Sequence, residues 1–147
     1  NFEIHVKHHP RDTQLEKWRN LYGDSQVIEV ANNITKLDTN YKAVFATYTS
    51  AVVLFAAKGI PTFDFTYYKG DTSNLAYHYL DESNMITHEL VELGIAKRMD
   101  DEDFLNLEKL SLEMLSSLGN SQKEIVDQLF PKHSVDLIIK EVIKLDY

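Results

Sequence analysis

The chain is 147 residues long and carries 15 Lys+Arg against 23 Asp+Glu, a formal net charge of −8. That length suits one domain with a real core, and 44% hydrophobic and 11% aromatic residues exclude a chain too polar to fold. Cysteine is absent, which excludes a disulfide scaffold, a cysteine–zinc site and a cysteine nucleophile.

Residues 2–8 read as a strand, with Phe2, Ile4, Val6 and His8 on one face and Glu3, His5, Lys7 and His9 on the other. Pro10 ends it, because proline has no N–H for a ladder. Asp12 or Thr13 caps a predicted helix over 13–22, which places Leu15, Trp18, Leu21 and Tyr22 on one face and closes at Gly23. A short strand follows at 27–30, then a polar connection over 31–40 with room for one helical turn at 34–38. Residues 41–46 read as a buried strand and 49–58 as a helix, capped by Thr49 or Ser50 and stopped by Gly59. A fourth strand is expected at 61–65. Strands that alternate with helices point to parallel pairing, since each parallel crossover needs a connecting element.

Beyond residue 65 the pattern changes. Residues 66–74 form a loop rich in Tyr, Gly, Asp, Thr and Ser, and helical spacing is expected at about 74–80, 84–93, 101–118, 121–130 and 134–145. Pro131 separates the last two. The apolar stripes Phe104, Leu107, Leu110, Met114, Leu115, Leu118 and Leu137, Ile138, Val142, Leu145 are packing faces. The expected fold is a single α/β domain over 1–147. Residues 1–65 would form a mainly parallel sheet core of about four strands, and 66–147 a loop and a helical C-terminal extension.

The charge is uneven. Residues 1–80 hold eight acids and eight bases, whereas 81–147 hold fifteen acids and seven bases and carry the entire net charge. Nucleic acid is therefore not expected as a partner, because phosphate neutralisation needs a basic face. The acidic half reads as solvated helix faces. The longest apolar run, residues 51–57, is far short of the ~20 residues that span a bilayer. No signal-peptide pattern opens the chain, although a trimmed chain would look the same. A strand pattern that starts at once after Asn1 leads to the expectation of a fragment or a processed chain.

In a parallel sheet, ligands collect beyond the carboxyl ends of the strands. Two unusual segments lie at such ends, Lys7-His8-His9-Pro10-Arg11 and Thr47-Tyr48-Thr49-Ser50. A helix start offers free N–H groups and a partial positive charge to an anion, and Thr49 and Ser50 add hydroxyl donors there. Plain capping by Thr or Ser accounts for the same residues. The first segment groups cations, Lys7 among them, with imidazoles that can act as a general acid or hydrogen-bond donor beside a phosphate. A solvated basic strand end is the simpler account of it. No nearby carboxylate completes a convincing metal-ligand set with His5, His8 and His9, so no metal is expected. His78, His88 and His133 are scattered, and surface or packing roles suffice for them. Neither type of glycine-rich phosphate loop is present, nor a Gly-x-Ser-x-Gly elbow.

The order strand, His-Pro-Arg, helix, then strand, Tyr-Thr-Ser, helix, Gly-Ile-Pro, strand resembles the C-terminal half of GT-B glycosyltransferases. The likeness is to bacterial sialyltransferases and polysialyltransferases that use CMP-sialic acid, and it covers roughly residues 2–65. The family's His-Pro maps to His9 and Pro10, and its hydroxyl pair to Thr49 and Ser50. The resemblance implies a Rossmann-like nucleotide-sugar-binding domain in which His9 is catalytic, contacting the phosphate and helping the nucleotide leave. Thr49 and Ser50 would hold that phosphate, with Lys7 and Pro10 completing the set. Several members carry Pro and Glu before the third strand; here that loop has neither, which leaves Asp38 and Glu29 as candidates for the ribose contact.

The same resemblance implies a CMP-sugar donor, no further cofactor, and a glycan acceptor held by an N-terminal domain that also supplies the catalytic base. This half by itself would not catalyse transfer. The setting implied is bacterial surface polysaccharide synthesis, cytoplasmic, with room for peripheral association of the full enzyme with the inner face of a membrane. A transferase using a CDP-polyol donor is similar at this level. A non-catalytic flavodoxin-like binding module, whose acidic helices dock a partner, is the reading from a different class.

Overall fold

The structure is a computed structural model and describes residues 4–7, 16–17, 20, 27–29, 40–46, 49–65, 79–83, 86–99, 106 and 109–130. The chain divides into two compact units, Asn1–Leu37 and Asp38–Tyr147.

In the first unit, β1 (Ile4–Val6) pairs in parallel with β2 (Val27–Glu29), with Ile4 opposite Val27 and Val6 opposite Glu29. Glu16, Lys17 and Asn20 are helical, inside the expected helix. Ile4 and His5 are both exposed, so the two faces of β1 meet solvent at these neighbouring positions.

The second unit holds a parallel three-stranded sheet in the order β3 (Val44–Ala46), β4 (Thr62–Asp64), β7 (Lys97–Arg98). Helix α1 (Ala51–Ala56) makes the crossover between β3 and β4. Its end has a local cause: Gly59 takes φ +73°, a conformation open to glycine. The Gly59 N–H then donates to Ala56 O and the Ile60 N–H to Phe55 O, which satisfies two of the last carbonyls. Gly94, at φ +76°, ends helix α2 (Glu89–Glu92) in the same way, with its N–H on Val91 O and that of Ile95 on Leu90 O.

All three residues of β4 are buried, as befits the central strand of a parallel sheet covered on both faces. One core cluster joins Val52, Val53 and Ala56 of α1 to Ile95, Ala96 and Val126, the last from helix α3 (Leu112–Leu129). The other joins Phe63 to Met99 and Leu115. Each fully buried side chain of this size contributes about 1.5–3 kcal/mol relative to exposure. Phe45 stacks on Phe63 at 5.0 Å between ring centroids, although Phe45 is itself 42% exposed.

Helix α3 is tied to the sheet by polar contacts as well. Gln122 is buried; its Oε1 accepts the Thr62 N–H at 2.8 Å and its Nε2 donates to Thr62 O at 2.9 Å. The Gln122 amide thereby pairs the Thr62 backbone as a neighbouring strand would. The Thr62 hydroxyl donates to Ile95 O at 2.6 Å.

This is a mixed α/β architecture compatible with a Rossmann-like fold. It differs from the expected pattern in several places. The four expected strands form at 4–6, 27–29, 44–46 and 62–64, but among the described residues they make two separate parallel pairs, and the second neighbour of β4 is β7. The helical spacing at 74–80 gives way to strand β5 (Tyr79–Leu80) in its described part. The stretch at 84–93 contains strand β6 (Ile86–Thr87), antiparallel to β5, and only then α2. The hairpin turn is set by Asp81, whose Oδ1 accepts the Ser83 N–H at 2.9 Å, a local bond that competes with helix. The two helices expected at 101–118 and 121–130 are one helix in their described part, starting after Ser111, whose hydroxyl accepts the Met114 N–H. The helix expected at 134–145 lies outside the described residues.

Candidate functional site

The register aligns Ala46, Asp64 and Arg98, the last residues of β3, β4 and β7, so the carboxyl ends of three parallel strands form one edge. Thr49 and Ser50 follow just beyond β3 at the start of α1. Thr49 is half-buried and its Oγ1 accepts the Ala51 N–H at 3.3 Å, which leaves its O–H able to donate. Ser50 is the N-cap residue, yet its hydroxyl makes no cap hydrogen bond and the residue is exposed. The N–H groups of Val52 and Val53 are already engaged by Thr49 O and Ser50 O. With only six residues in α1, few peptide dipoles align, so the hydroxyls carry more of any anion contact here than the helix start.

Of the other expected site residues, Lys7 follows β1 and is half-buried. Glu29 closes β2, and the register puts Lys7 one step beyond the Val6–Glu29 pair at the carboxyl end of that sheet. Both belong to the first unit, whereas Thr49 and Ser50 belong to the second. His9, Pro10 and Asp38 lie outside the described residues. Among the described residues, no cluster of three or more His, Asp and Glu side chains is arranged to hold a metal ion.

The same edge carries a polar group that the sequence reading did not single out. Asp64 and His88 approach to 2.9 Å between Oδ2 and Nε2, with side-chain exposures of 3% and 1%. The contact is shielded from water, and both side chains take part in further interactions. Solvent cannot reach the imidazole, so the pair binds β4 to the β6–α2 junction rather than serving as an exposed acid or base. One signal was available in the sequence: Asp64 interrupts an apolar strand, and a buried carboxylate requires a partner. Beside it, Arg98 Nη1 donates to Asp81 Oδ2 at 2.7 Å, which ties β7 to the hairpin turn.

Between that turn, α2 and β7 lies an open cavity of about 550 Å³, lined by Asp81, Glu82, Ser83, Thr87, Val91, Glu92 and Arg98. Near it, the Glu92 carboxylate accepts a hydrogen bond from Tyr79 and raises the phenol to about 12; desolvation and then the charges of Glu92 and Glu89 act in the same direction. A raised pKa means that the folded state holds the proton more tightly. Tyr79 therefore stabilises the fold below the unfolded phenol value of about 10, and that contribution fades as pH rises from about 10 through about 12. The phenolate absorbance titration of the protein minus that of Tyr79→Phe should show one group ionising near the upper value, and Glu92→Gln should bring it down. A difference curve centred on the ordinary phenol value would contradict the contact.

No helix among the described residues is long and apolar enough to cross a membrane. Comparison with protein-family models, with curated proteins and with solved structures finds no match to this chain.

Proposed function

We propose that this chain is the donor-nucleotide-binding half of a GT-B glycosyltransferase, similar to sialyltransferases, that takes a CMP-linked sugar. The observation that supports this most is the β3–α1–β4 unit, with Thr49 and Ser50 at the carboxyl edge of a parallel sheet, where nucleotide phosphates are received in such folds. The Ser50 hydroxyl is exposed and uncommitted to a cap, as a phosphate ligand should be. The proposed enzyme works in the cytoplasm, and its acceptor and catalytic base belong to a second domain.

When the sugar leaves, its bond electrons pass to a phosphate oxygen. Donors that meet this growing charge lower the barrier more than they tighten ground-state binding. Thr49 and Ser50 supply neutral O–H donors. The resemblance assigns His9 the proton or hydrogen bond that helps the nucleotide leave.

Thermal and denaturant unfolding with CMP, AMP and UMP tests the proposal. A ligand that binds only the folded state at a hundred times its Kd adds about 2.7 kcal/mol of stability. CMP should stabilise the chain, and AMP and UMP should do so less at equal concentration. Thr49→Ala and Ser50→Ala should each weaken CMP roughly tenfold, the loss of one hydrogen bond to a charged group. No stabilisation by CMP, or equal stabilisation by all three nucleotides, would overturn the assignment.

A further inference from the structure

We draw no further inference here: the strongest candidate, the cavity between the β5–β6 turn, α2 and β7, is an acidic cluster whose Asp81 already takes Arg98 and whose Glu92 already takes Tyr79, and nothing in the structure points to a ligand for it.

Discussion

Replacing Asp64 by Ala is expected to lower the unfolding free energy by about 3 kcal/mol, the upper end for taking a partner away from a buried polar group. The carboxylate ends the central strand and meets the His88 imidazole at 2.9 Å, with both side chains almost free of solvent. Truncation leaves the imidazole buried without that carboxylate and opens a gap where β4 meets the β6–α2 junction. His88→Ala should be comparably harmful, since it takes the imidazole away from a carboxylate buried in the central strand. The double variant should lose less than the two single losses combined, because the two side chains share one contact. Denaturant unfolding of the three variants reads this directly. Single losses below about 1 kcal/mol, or a strictly additive double variant, would show that the pair does not couple the two elements.

Gly119→Ala should be nearly as damaging, although it adds one methyl group. A Cβ at this position would stand 2.1 Å from Gly59 O and 2.9 Å from Gly59 C, with Pro61 Cδ at 3.1 Å. Two of those atoms are backbone and cannot rotate away. Helix α3 would have to lift from the turn that follows α1, and Gln122, one helical turn further on, would be pulled from the Thr62 backbone. A loss of about 3 kcal/mol is expected, the upper end of the usual range for overpacking, even though alanine is the better helix former. Ser121→Ala, at an exposed position of the same helix, should change stability by no more than about 0.5 kcal/mol. If Gly119→Ala unfolds at the same denaturant concentration as the parent chain, the close helix–turn approach is wrong.

Local pattern alone located β3, α1 and β4. An apolar run, a hydroxyl pair and a Gly-Ile-Pro stop are each read within a few residues, and Gly59 does end α1 as its neighbours require. The placement of Thr49 and Ser50 just past β3 was legible for the same reason. Tertiary structure decided the rest. Strands β5, β6 and β7 have two residues each, too few for any period to show, and they exist because a neighbour offers a ladder. Gly119-Asn120 looked like a gap between two helices. The helix continues through it, and the close approach of the Gly59 backbone leaves no room for a Cβ there. The Asp64–His88 contact joins residues 24 positions apart, and no spacing rule connects them. Burial made the pair necessary: once Asp64 occupied a strand covered on both faces, its charge required a partner, and only the folding of the β6–α2 junction determined which residue that would be.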